Sequence, residues 1–191
     1  MTEPELVRLL KKGDRDAFNE LVELYQNKII NIAYGMLSDR EDALDASQEV
    51  FIKVYRSINT FNENSSLSTW IYRIAANICK DYLRKRQRTT KTVSIHADDE
   101  DEKDKIQEIP DESYTPEESA EHTELQIQIR KAIDSLSSDY KAVLVMCDIE
   151  GISYEKAAEI LKCPIGTVKS RLNRARIALK KKISENKELF F

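Results

Sequence analysis

The chain has 191 residues, 34% charged and 41% hydrophobic, with a formal net charge of −4, enough for one domain or two small helical ones with sufficient cores. Residues 1–92 hold 15 basic and 13 acidic side chains, 93–124 hold 2 and 13, and 125–191 hold 13 and 8, so an acidic middle separates two net-basic flanks. Three scattered cysteines (Cys79, Cys147, Cys163), with only His96 and His122 beside them, offer no metal spacing or disulfide framework. Apolar runs stay well short of a membrane span of about 18 residues, and no signal-like segment opens the chain. A cytoplasmic chain without membrane insertion is expected, with reduced thiols and no cofactor. No Gly-rich phosphate loop or nucleophile–base pairing can be located either, so no enzyme is expected.

Pro4 to Lys12 carries Leu6, Val7, Leu9 and Leu10 and stops at Gly13, which predicts a short helix. Asp14 to Leu37 is a longer one, with Phe18, Leu21, Val22, Tyr25, Ile29, Ile32, Ala33 and Met36 at helical spacing. Ser38-Asp39 supplies caps for a third helix to Ser57, with Glu41 and Asp42 suited to its first turn. Leu44, Ser47, Phe51, Val54 and Ile58 form its expected inward stripe, leaving Asp42, Asp45, Gln48, Glu49 and Ile52 away from the centre of that stripe. Such an acidic face is ordinarily solvated surface. DASQEVF (Asp45 to Phe51) nevertheless resembles the sigma-family segment D-L-x-Q-E-x-F, which in that family docks on the coiled coil of the largest RNA polymerase subunit. The resemblance implies Asp45, Gln48 and Glu49 as polymerase contacts.

Asn59 to Ser66 is a polar loop holding one aromatic, Phe61, and the helix LSTWIYRIAANICKDYLRKRQR follows. Trp70, Ile71, Ile74, Ala75, Ile78 and Leu83 can form the buried side of that helix, while Arg73, Asn77, Lys80, Arg84, Lys85, Arg86 and Arg88 make a polar, cationic side. Phe61 and Trp70 are core candidates, yet a loop of Phe, Asn and Ser beside a basic helix also suits capture of an unstacked base. Phe61 to Arg88 is similar to the segment of extracytoplasmic-function (ECF) sigma factors that recognises and melts the promoter minus-ten element. The resemblance implies that Phe61, Asn62, Asn64 and Ser65 lie near a flipped base, with Arg73, Asn77, Lys80 and Arg84 on the strand and its phosphates.

Thr89 to Thr123 contains DDEDEKD, Pro110 and Pro116 and little apolar periodicity, so it reads as a flexible acidic linker. Beyond it, Leu125 to Leu136 and Tyr140 to Ile149 predict two helices, the second ending at Gly151. Ser153 caps a short helix to Leu161, and Pro164 breaks the chain before a last helix. In the last helix Val168, Leu172, Ala175 and Leu179 make one narrow apolar stripe, and Lys169, Ser170, Arg171, Asn173, Arg174, Arg176 and Lys180 to Lys182 fill the remaining arc. Two helices around a tight turn, the second cationic, have the shape of a DNA reader.

CPIGTVKSRLNRARIAL (Cys163 to Leu179) is similar, nearly residue for residue, to the promoter-reading helix-turn-helix of ECF sigma factors of the sigma-E and sigma-W type, P-x-G-T-V-K-S-R-L-x-R-A-R-x-x-L. It departs from turns of this kind at Lys162, where glycine is common; if this residue has φ > 0, lysine there costs stability. The reading assigns Lys169, Arg171 and Arg176 to phosphates, Ser170, Asn173 and Arg174 to base edges of the minus-thirty-five element, and the Gly166-Thr167 N–H groups to a phosphate. The expected architecture is all-α: residues 1–90 as a sigma region 2 bundle, 91–122 as the acidic linker, and 123–191 as a region 4 helix-turn-helix. Its implied partners are core RNA polymerase, promoter DNA and an anti-sigma factor. The rival is a two-domain regulator that binds duplex DNA without polymerase, for which the helix-turn-helix alone suffices; DASQEVF and Phe61 to Arg88 argue against it.

Overall fold

A computed structural model describes residues 1–93 and 126–187. The acidic segment from residue 94 to 125, which holds most of the expected linker, and the last four residues lie outside the described residues.

The first module is a bundle of α1 (Glu3–Lys11), α2 (Arg15–Leu37), α3 (Arg40–Ser57) and α4 (Leu67–Val93), with a 3₁₀ turn at Ile58–Thr60. Its boundaries are set by local chemistry. The Asp14 carboxylate accepts from the Ala17 N–H at 2.9 Å to start α2, and Asp39 accepts from Asp42 N–H at 2.7 Å to start α3. Between them Ser38 closes α2 in the left-handed region, φ 60°. Helix α4 starts on two side chains: Ser66 Oγ accepts from Thr69 N–H at 3.2 Å, and Glu3, reaching across from α1, accepts from Leu67 N–H at 2.9 Å. At its other end α4 runs to Val93, past Arg88, where the residue pattern ended it.

The packing corrects one expected stripe. Helix α3 buries Ala43, Ala46, Ser47, Val50 and Val54, while Leu44 is 41% exposed and Phe51 only half-buried. Small side chains at Ala43 and Ala46 let α3 approach its neighbours closely, and this close approach turns the larger Leu44 outward.

The second module comprises α5 (126–134), α6 (Ser138–Leu144) running into a π-helical turn at Val145–Ile149, α7 (Tyr154–Leu161) and α8 (Ile165–Lys187). The π turn alters the register of the expected Tyr140–Ile149 helix: Val145 and Met146 are fully buried, but Ile149 is 52% exposed.

One hydrophobic cluster runs through both modules. Helix α4 packs on α7, and α2 packs on α6 and the π turn. The tightest approach is at Gly35 of α2, where a Cβ would stand 2.8 Å from Val145 Cγ1. Polar contacts line the same seam: Lys28 bonds the Glu150 carboxylate at 2.7 Å, and the Arg130 guanidinium lies 4.0 Å from the Tyr34 ring centroid.

Candidate nucleic-acid interface

The reader begins at Ser153, whose hydroxyl accepts from Lys156 N–H and starts α7. That helix buries Ala157 and Ile160 and ends on Lys162, which takes φ 51° and ψ 48°, the left-handed conformation the sequence reading made conditional. Pro164 stands one residue ahead of α8, its carbonyl accepting from Thr167 N–H at 2.8 Å and Val168 N–H at 3.2 Å. Val168, Leu172 and Ala175 then face the core with 2% exposure or less, and Leu179 is partly buried. On the opposite side Lys169, Ser170, Asn173, Arg174 and Arg176 are exposed, while Thr167 and Arg171 are half-buried.

Two of these cations already hold carboxylates. Arg176 grips Asp148 through two parallel bonds, Nε at 2.8 Å and Nη2 at 2.6 Å, and that carboxylate raises its pKa. Arg171 Nη2 lies 2.9 Å from Asp139 Oδ2.

The loop before α4 is mixed. Asn62 and Asn64 are exposed and Ser65 is half-buried. Glu63, in the left-handed region at φ 60°, pairs with Lys11 at 3.1 Å. Phe61, expected beside a flipped base, is instead 3% exposed, with its ring centroid 5.2 Å from that of Trp70. It serves as a core residue because the loop folds back onto Trp70 and apolar burial outweighs display of the ring to water.

The α4 cations are also engaged. Arg73 Nη2 donates to the Glu159 carbonyl at 2.8 Å, and Lys80 Nζ donates to Asp139 Oδ1 at 2.6 Å. Arg84 pairs with Asp81 at 3.0 Å, whereas Asn77 is exposed. Arg73 and Lys80 of the α4 surface are therefore turned into the seam between the modules, while Arg171 and Arg176 of the reader are held by carboxylates of their own module. The groups that hold these cations, Asp139, Asp148 and the Glu159 carbonyl, were missed from sequence because no local pattern announces a partner 28 to 86 positions away.

Asp45, Gln48 and Glu49 are all exposed on α3. Asp45 and Glu49 border a groove of about 580 Å³ with Asp42, Ile78, Asp81 and Tyr82. Burial, followed by the charges of Glu49, Asp45 and Asp42, raises the Tyr82 hydroxyl above its usual range. Among the described residues no group of His, Cys, Asp and Glu could hold a metal ion, and no helix is long and apolar enough to cross a membrane.

Family models describe matching segments in both modules: sigma-70 region 2 over residues 21–89 and sigma-70, region 4 over residues 126–179. The chain is 40% identical over 183 residues to the ECF RNA polymerase sigma-E factor of Haemophilus influenzae, covering 96% of each chain. It is 36% identical over 179 residues to the ECF RNA polymerase sigma factor SigW of Bacillus subtilis, covering 94% of this chain and 95% of that one. Among solved structures it is similar to the sigma factor RpoE of Bartonella quintana, determined in complex with the anti-sigma factor NepR, with a TM-score of 0.63 and 26% identity over 87% of this chain and 96% of that one. The two helical modules, the reader helix and these likenesses agree: the chain belongs to the ECF group of the sigma-70 family of RNA polymerase sigma factors.

Proposed function

We propose that this chain binds core RNA polymerase and directs it to promoters, acting as an alternative sigma factor without enzymatic chemistry of its own. Its place of action is the cytoplasm. The single observation that carries the reading is the coexistence, in one chain of this family, of an exposed acidic α3 face and an exposed polar, cationic α8 face. The first suits a protein partner and the second suits duplex DNA. Neither requires a metal or cofactor.

In this reading residues 1–90 serve polymerase and the minus-ten element, 91–122 serve as tether, and 123–191 serve the minus-thirty-five element. Asp45, Gln48 and Glu49 dock on polymerase. Ser170, Asn173 and Arg174 read base edges in the major groove, while Lys169, Arg171, Arg176 and the Gly166 N–H hold phosphates and fix the register, the Thr167 N–H being already given to the Pro164 carbonyl. Asn62, Asn64 and Ser65 receive an unstacked base above the Phe61–Trp70 pair, and Arg73, Asn77, Lys80 and Arg84 steer the displaced strand. Two weak sites on one polymerase act as a single strong one, because the second contact becomes intramolecular. An anti-sigma factor restrains the chain, as the complex of the Bartonella relative suggests.

Run-off transcription with core polymerase on a random promoter library tests the reading. New start sites that depend on the chain are expected. Glu49→Arg should abolish them by losing polymerase in a pull-down while leaving duplex binding intact. A chain that neither joins polymerase nor creates a start site would end the proposal.

A further inference from the structure

Helix α1 lies against the loop that joins the 3₁₀ turn to α4 and touches it at its start, middle and end. At the start α1 packs on the turn at Ile58–Thr60. In the middle Lys11 Nζ stands 3.1 Å from Glu63 Oε1 and 6.0 Å from the centroid of the Phe61 ring. At the end Glu3 Oε1 accepts from Leu67 N–H at 2.9 Å, beside Ser66 Oγ, which accepts from Thr69 N–H. A helix N-terminus leaves its first N–H groups without intrahelical partners and carries partial positive charge, so a carboxylate there fixes where α4 begins. The first turn of α4 has no acid of its own to do this. Helix α1 acts as one piece, because Leu6, Val7 and Leu10 are buried in the module core.

The loop holds little of its own shape. Asn64 N–H reaches Asn62 Oδ1 only at 3.4 Å, and Glu63 takes φ 60°, a conformation that is costly for a residue with a Cβ. We propose that α1 is a brace for this loop, with Glu3 and Lys11 as positioning residues that set how Asn62, Asn64 and Ser65 are presented to an unstacked base. The inference rests on the minus-ten role given to those three residues above. A loop ordered before the strand arrives loses less entropy on capture, and only a base that fits its fixed shape gains from that order. Glu63 is then an anchor tied to α1 rather than a reader of bases, and Lys11 neutralises an acid that would otherwise repel the strand.

The test is run-off transcription with core polymerase on a random promoter library, with base preference read separately in the minus-ten and minus-thirty-five elements of the promoters each chain uses. Glu3→Ala removes the carboxylate, and Glu3→Gln keeps an acceptor oxygen for Leu67 N–H. Lys11→Glu and Glu63→Lys each break the ion pair, with opposite changes of net charge. Lys11→Glu/Glu63→Lys restores the pair in reverse.

Glu3→Ala is expected to flatten the preference at the captured minus-ten base about threefold to tenfold, with Glu3→Gln close to wild type. Each single charge variant should flatten it about twofold to fivefold, and the double variant should recover. Should Glu3→Ala not fold, the charge set decides alone. A role confined to electrostatics at the DNA would move Lys11→Glu and Glu63→Lys in opposite directions, and a loss of stability alone would lower transcript yield without altering base preference. Either pattern would overturn the brace, as would an equal change in the minus-thirty-five element. If the wild-type chain initiates and the variants keep its minus-ten preference, only the brace fails; if the wild-type chain starts nothing with core polymerase, the sigma reading fails and the brace falls with it.

Discussion

Replacing Lys162 with glycine should stabilise the protein. Lys162 ends α7 at φ 51°, ψ 48°, its side chain is exposed, and its backbone N–H stays within the last turn of the helix. The left-handed conformation costs a residue with a Cβ about 1–2 kcal/mol. Glycine removes that cost but returns about 0.5–1 kcal/mol through the greater freedom of the unfolded chain. The difference is about 0 to 1.5 kcal/mol in favour of Lys162→Gly, centred near about 0.75 kcal/mol, which for a chain of this size raises the melting midpoint by up to about 6 °C. Lys162→Ala is the control, since it loses the same ammonium group yet keeps the Cβ and therefore the strain. Thermal unfolding followed by circular dichroism at fixed salt separates the three chains. If Lys162→Gly melts at or below Lys162→Ala, the backbone conformation is not what limits this turn, and the argument fails.

Other outcomes follow from the same geometry. Arg174→Ala should cost about 1–3 kcal/mol on the correct minus-thirty-five duplex and less on a scrambled one; equal losses on both would remove it from the base-reading group. Lys169→Ala should flatten the plot of log affinity against log salt by about 0.9, and an unchanged slope would take it off the phosphate list. Burial raises the Cys79 thiol to about 12, so in the native chain at pH 8 fewer than about one in a thousand of these thiols is ionised. Iodoacetamide should therefore leave Cys79 unmodified until denaturant is added, and mass spectrometry showing early alkylation there would mean that the core beneath α4 opens readily.

Residues that act on near neighbours were legible in order along the chain. The Ser153 and Asp39 caps each act across three positions. The Val168, Leu172 and Ala175 stripe of α8 reflects a period that the backbone itself imposes. Where two elements compete for one space, the pattern misled. Leu44 looked like core because it is large and apolar, but Ala43 and Ala46 set the closer approach and won the interior. Phe61 carried both a core and a ligand reading until the loop was seen folded onto Trp70. Ile149, the last residue of the expected helix, is 52% exposed because the π turn breaks the 3.6-residue repeat there.

The linear order of residues alone determined the two-module plan, the identity of the reader helix and the kinship to ECF sigma factors, because caps, breaks and periodic stripes act over a few positions. Tertiary structure alone decided which cations meet protein first. Lys80 and Asp139 are 59 positions apart, Arg73 and Glu159 are 86 apart, and Gly35 meets Val145 across both modules. Electrostatic attraction and close packing act through space, so their partners are settled only once both modules share one core.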